Sequence, residues 1–184
     1  MMLSDHIAEK DNNFNLIRFI AAFSVLVSHS YAIHFGSADA EPLLSYLGKS
    51  LGSLSVDVFF IVSGFLIYGS LIRKQSLRDY IAARILRIFP GLIFMLILTT
   101  FVLGSSISSL TFINFLSEPQ TWEYFLKNSI LIFRTEYQLP GVFEDNNYGT
   151  AVNGSLWSLP FELYMYIALP VLLFGLKGIK SCSG

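Results

Sequence analysis

Four stretches of about 20 predominantly apolar residues dominate this sequence, each long enough to cross a lipid bilayer as a helix. A bilayer core offers no water to backbone amides and carbonyls, so a crossing segment must satisfy them internally. The stretches occupy residues 16–35 (LIRFIAAFSVLVSHSYAIHF), 53–72 (SLSVDVFFIVSGFLIYGSLI), 88–107 (IFPGLIFMLILTTFVLGSSI) and 158–176 (SLPFELYMYIALPVLLFGL). The fold class they predict is all-α, a polytopic transmembrane helical bundle of about four spans. No repeat, low-complexity tract or linker divides residues 1–184, which read as a single partial membrane domain.

Composition supports this and narrows the alternatives. Hydrophobic residues make up 53% of the chain and charged residues 14%, against about 25% charged in a soluble domain. Aromatics at 15% run against disorder. A net charge of -1 gives no argument for nucleic acid as a partner. One cysteine, Cys182, excludes a disulfide framework and a cysteine-based zinc site, and no metal site is predicted. The acids Asp5, Glu9 and Asp11 argue against a cleavable signal peptide.

Basic residues set the predicted orientation. Arg73, Lys74, Arg78, Arg84 and Arg87 cluster between the second and third spans, and Lys177 and Lys180 follow the fourth. With Lys10 and Arg18, nine of the twelve Lys and Arg fall inside when both termini are cytoplasmic, N-in and C-in. The outer connection, 108–157, holds Lys127 and Arg134 against Glu118, Glu123, Glu136, Glu144 and Asp145. Within it an interfacial or re-entrant helix is expected near 122–133, and QLPGVFEDNNYGTAVNGS reads as a loop.

Ionisable groups inside the spans point to chemistry, because each costs about 2.5–3.5 kcal/mol at mid-bilayer unless it meets a partner or a water-filled cavity. Arg18 and His29 lie eleven residues apart, nearly three helical turns, so they share one helix face roughly 16 Å apart along the axis. Asp57 and Glu162 each fall about one turn inside the outer end of a span, so His29, Asp57 and Glu162 are expected to converge at one level. Arg18, Arg84 and Arg87 would gather at the inner face. Each residue also has a structural reading. The arginines serve as snorkelling anchors. Asp57 and Glu162 serve as end-of-helix acids. His29 serves as a bonded packing residue. His6, His34 and Cys182 read as incidental.

Four segments together resemble the acyltransferase-3 family of integral membrane O-acyltransferases. They are Arg18-x10-His29; SVDVFFIVSGFLI, which contains Asp57; ARILRIFP, with Arg84 and Arg87; and GSLWSLPFELYMYIALP, with Trp157 and Glu162. The resemblance covers nearly the whole chain. It departs at Ser55, where the family commonly has Gly, and at Met165-Tyr166, where it often has Phe-Tyr. Such proteins move an acyl group, often acetyl, from cytoplasmic acyl-CoA to a hydroxyl of an exported glycan or lipid-linked saccharide.

The resemblance implies catalytic roles for His29, Arg18 and Glu162, donor binding by Arg84 and Arg87, and support from Asp57 and Trp157. It also implies acyl-CoA (acetyl-CoA) as co-substrate with no permanently bound cofactor, contact with membrane lipids, and the bacterial inner membrane as location. Family members have roughly ten spans, so the chain is expected to be incomplete or to work with a second chain that supplies the missing helices. A non-catalytic membrane remnant or interaction module stands as the alternative, and a small proton or solute transporter as a third.

Overall fold

The computed structural model describes residues 13–73, 76–132 and 134–181; His6, Lys10, Lys74 and Cys182 lie outside the described residues, as do the side chains of Arg73, Lys177 and Lys180. The described residues form helices and loops without strands. Four helical segments are long and apolar enough to cross a membrane: Phe14–Phe35, Leu51–Leu71, Leu77–Ile107 and Gly154–Leu173. The chain divides into two units, Met1–Leu77 with Met165–Gly184, and Arg78–Tyr164.

In unit 1, α1 (Phe14–Phe35) ends where Gly36 turns left-handed, φ 73°, and its amide reaches back to the Ala32 carbonyl at 2.9 Å. A 3-10 turn (Ala38–Ala40) and the short α2 (Pro42–Leu47) follow. Pro42 opens α2, where a missing N–H costs nothing, and Gly48 closes it at φ 65°. The long helix α3 (Leu51–Arg73) then returns alongside α1.

The α1/α3 pair is antiparallel, as three contacts at successive depths show. Phe14 meets Phe65 with ring centroids 5.2 Å apart, Arg18 lies over Phe59, and Ser28 faces Gly52. The buried residues of α1 are Ala21, Ser28 and Ala32, spaced seven and four along one face. Small residues let two backbones approach where lipid supplies no hydrophobic driving force. Gly52 makes the point quantitatively: a Cβ there would sit 2.8 Å from Ser28 Oγ and 3.1 Å from Ser28 Cβ. The outward faces carry Phe19, Phe23, Leu26 and Ile61, all more than half exposed, as suits a lipid-facing surface.

In unit 2 the third span begins earlier than the sequence suggests. Helix α4 (Leu77–Ile97) runs into a π-helical stretch (Leu98–Gly104) and a last turn, α5 (Ser105–Ile107). Residues 77–87 are therefore helix, and Arg78, Arg84 and Arg87 ride on its first three turns instead of on a connection. The apolar positions Leu77, Tyr80, Ile81, Ile85 and Ile88 keep helical spacing between the charges, and Tyr80 and Ile88 are buried.

Beyond the span, α6 (Phe112–Ser117) is capped by Thr111, whose hydroxyl accepts from the Asn114 amide at 3.4 Å. Where the sequence predicts a helix near 122–133, α7 runs Pro119–Ile130, with Pro119 at its first position and Leu131 ending it at φ 57°. Residues 134–153 are a loop, held at one end by a two-bond link between Asn128 and the main chain of Glu136 (2.8 and 3.1 Å). A 3-10 turn (Gly154–Trp157) leads into α8 (Ser158–Ser181), which carries the chain into the later residues of unit 1.

Candidate active site

Arg18 and His29 stand on one face of α1, beside the seam formed by Ala21, Ser28 and Ala32. Arg18 is half-buried, its guanidinium carbon 6.0 Å from the centroid of the Phe59 ring, an arrangement in which the ring face attracts the cation. His29 is exposed, about two turns before the C-terminal end of the helix. The antiparallel register sets Ser28 opposite Gly52, so the backbone of Asp57 lies about 9 Å further along α3 from the level of His29. The carboxylate of Asp57 meets Lys49 at 2.9 Å, with the two side chains 53% and 58% exposed. Asp57 thus has the lysine of the preceding connection as its ion partner.

In unit 2, Arg84 is half-buried and folds back toward the start of α4, its guanidinium carbon 5.6 Å from the ring of Tyr80 one turn earlier. Side chains on a helix lean toward its N-terminus, and that tilt carries Arg84 toward the basic end of the span. Arg87, three residues on, is exposed on nearly the same face. Trp157 is exposed and begins an aromatic ladder, Trp157–Phe161 at 5.9 Å and Phe161–Tyr164 at 6.3 Å, both edge-on. Glu162 is half-buried. The sequence positions therefore fall into two groups: Arg18, His29 and Asp57 in unit 1, and Arg84, Arg87, Trp157 and Glu162 in unit 2. Convergence of Glu162 with His29 rests on sequence depth.

Two residues the sequence reading passed over are fixed in these surroundings. Glu41, 4% exposed, accepts from Ser28 Oγ at 2.5 Å and from the Leu51 amide at 2.5 Å, joining the C-terminal part of α1 to the start of α3. Asn153 caps the 3-10 turn before α8 by accepting from the amide and hydroxyl of Ser155 (3.2 and 2.6 Å). Its amide nitrogen donates to Met95 Sδ on α4 at 3.5 Å. Neither carries a local motif; both depend on a helix distant in sequence.

The outer segment has its own polar order. Lys127 bonds Glu123 at 2.7 Å, which holds its amine above the ordinary lysine value, and Glu136 at 3.8 Å adds to that. Lys127, Leu126, Ile130, Arg134 and Glu136 line an open surface recess of about 500 Å³. Burial pushes the Tyr124 hydroxyl up to about 12. Among the described residues no group of three or more His, Cys, Asp or Glu is arranged to hold a metal ion.

Comparison with known proteins follows the same segments. Residues 11–181 match the family described as an acyltransferase domain. The chain is 37% identical over 173 residues to a protein of Shigella phage Sf6 named O-acetyl transferase, covering 94% of this chain and 49% of that one. It is 30% identical over 176 residues to Nodulation protein 10 of Rhizobium leguminosarum bv. viciae, covering 92% of this chain and 46% of the relative. The chain thus spans about half the length of these curated relatives. No solved structure matches. With a match that runs through all four spans and every motif they carry, the chain belongs to the acyltransferase-3 family.

Proposed function

We propose that this chain is the N-terminal part of a membrane-bound O-acyltransferase, moving an acetyl group from acetyl-CoA to a hydroxyl of an exported carbohydrate or other cell-envelope acceptor. The observation that carries the reading is the placement of Arg18 and His29 on one face of α1, within a chain matched to the family over residues 11–181. The name of the Shigella phage relative supports acetyl as the group moved. The bacterial inner membrane, with both termini cytoplasmic, suits the distribution of Lys and Arg.

His29 acts as general base. Neutral imidazole, ordinarily near pKa 6.5, removes the proton of the acceptor hydroxyl as its oxygen attacks the thioester carbonyl. Collapse of the tetrahedral intermediate breaks the C–S bond, and the leaving thiolate takes the proton back from imidazolium. The products are the O-acyl ester and free CoA. Arg84 and Arg87 bind donor phosphates, because a guanidinium fork matches phosphate oxygens and stays charged. Arg18 is a fixed charge at the inner end of the His29 face and guides the donor along it. The family resemblance assigns Glu162 a catalytic role, with Asp57 and Trp157 in support. The reading calls for acetyl-CoA as co-substrate and for no resident cofactor.

An exposed His29 on a membrane span needs cover. The reading therefore includes further helices that close the site, on a second chain or along a longer one, corresponding to the half of the relatives outside this match. His29→Ala and His29→Gln, expressed at parental levels, are expected to lose about 10²–10⁴-fold in acyl transfer. Undiminished transfer by either variant overturns the assignment. Proton flux in liposomes without donor, unaccompanied by acyl transfer, would favour a transporter.

A further inference from the structure

The buried carboxylate of this chain lies outside every motif. Among the described residues Glu41 is the one acid in the buried class; the others are half-buried or exposed. Burying a carboxylate is costly unless hydrogen bonds compensate, and a helix pair packed through small residues gains nothing from a charge at its rim. The compensation here is specific. One oxygen takes the hydroxyl of Ser28 on α1, and the other takes the free first-turn amide of Leu51 on α3. The two donors belong to the two helices that meet closely at this same level, where Ser28 faces Gly52. Ser28 directly precedes His29. The connection that carries Glu41 also carries Lys49, the ion partner of Asp57.

We propose that Glu41 is a positioning residue for the acyl-transfer site. Its carboxylate locks the turn of α1 that bears His29 to the start of α3 and so fixes the azimuth and depth of the imidazole. This rests on the role of His29 given above. Glu41 touches neither donor nor acceptor; it acts through Ser28 and the backbone. A base displaced by about 1 Å loses on the order of 10²-fold in rate, so a clamp one residue from His29 controls turnover while donor binding at Arg84 and Arg87 is untouched.

The conservative variant separates a hydrogen-bond clamp from a charge effect. In Glu41→Gln the amide oxygen still accepts from Leu51, and the amide nitrogen donates to Ser28 Oγ. In Glu41→Ala both links are gone. In the full-length membrane protein, Glu41→Ala is expected to lower kcat about tenfold or more with KM for acetyl-CoA within about twofold, and Glu41→Gln to restore kcat to within about threefold of the parent. Equal loss in Gln and Ala, or a loss expressed in KM alone, overturns the clamp.

A second measurement needs no activity. Cys182 is the sole cysteine of this sequence, so with Cys182→Ser, and any cysteine of the further helices replaced likewise, His29→Cys reports position 29 by its rate of maleimide labelling in native membranes. Glu41→Ala should change that rate at least about threefold and Glu41→Gln should leave it alone, while a cysteine at exposed Val102 on the third span responds to neither. An unchanged rate at position 29 overturns the proposal. Should Glu41→Ala disturb both positions together, Ser28→Ala, which removes one link and keeps the Leu51 cap, becomes the deciding variant, and its failure to shift labelling at position 29 overturns it equally. If labelling responds as expected while the parent shows no acyl transfer, the clamp stands and the functional reading falls.

Discussion

The α1/α3 pair of unit 1 and the outer segment 111–153 of unit 2 are held together by different means. The helix pair buries Ala21, Ser28 and Ala32, while Phe19, Phe23 and Leu26 point outward. The outer segment buries Phe115, Tyr124, Leu131, Leu139 and Val142 at 3% exposure or less and stitches itself with bonds such as Thr121 to the Phe115 carbonyl at 2.6 Å. A helix in lipid gains little by hiding large apolar groups, so its seam selects small residues and close backbones. A segment beyond the spans has water to escape and builds an ordinary dense core. The polar residues of the candidate site therefore stand beside a thin seam, where one hydrogen bond matters, while the rigid core lies elsewhere.

The largest test of this contrast is Phe115→Ala. It should cost the outer segment about 3–5 kcal/mol, seen as lost protease protection across 111–153, whereas Phe23→Ala on the exposed face of α1 should leave its span unaffected. Equal effects would erase the distinction. The next test uses alkaline pH. Tyr124 has its hydroxyl raised from 10 to about 12 by burial. Below pH 10 the folded and unfolded forms both keep the proton, and its stabilising effect is complete. Between pH 10 and 12 the unfolded form ionises first, so stability should fall by on the order of 2–3 kcal/mol across that window. Tyr124→Phe should flatten the loss, as followed by protease protection, with phenolate absorbance reporting the ionisation itself.

For the helix pair the corresponding test is Gly52→Ala. The new methyl would crowd Ser28 Oγ and Cβ, and the hydroxyl cannot turn away without leaving Glu41. Overpacking of this kind costs about 1–3 kcal/mol, partly offset by better helix propensity. Ser28→Gly removes the atoms that clash but also the Glu41 link, so the loss from Gly52→Ala should be smaller when measured in a Ser28→Gly background than in the parent. An equal loss in both backgrounds would show that the seam is not where the two helices are fixed.

The contrast also explains what the sequence disclosed. Four runs of about 20 apolar residues mark the spans, because lipid imposes length and apolarity on each helix by itself. The start of the third helix is hidden, since residues 77–87 interleave Arg78, Asp79, Arg84 and Arg87 with the apolar positions and look like a basic connection. Arg18 and His29 are legible as a pair because one helix fixes their spacing. Glu41 is not, because a lone acid in a connection becomes buried only when Ser28 and Leu51 meet it from two helices. The Asn128 link to Glu136 and the Asn153 bond to Met95 are silent for the same reason: their partners are eight and 58 residues away, across loops.

The smallest expected effect belongs to the most conspicuous charges of the helix pair. Lys49 and Asp57 meet at 2.9 Å with more than half of each side chain exposed. Exposed ion pairs contribute about 0–1 kcal/mol and weaken with salt, so Lys49→Ala should barely alter the stability of the α1/α3 pair. The consequence for chemistry is as small. The backbone of Asp57 lies about 9 Å along α3 from the level of His29, so under the proposed mechanism Lys49→Ala should leave the rate of acyl transfer within about twofold of the parent. A larger loss would show that Lys49 does more than meet Asp57.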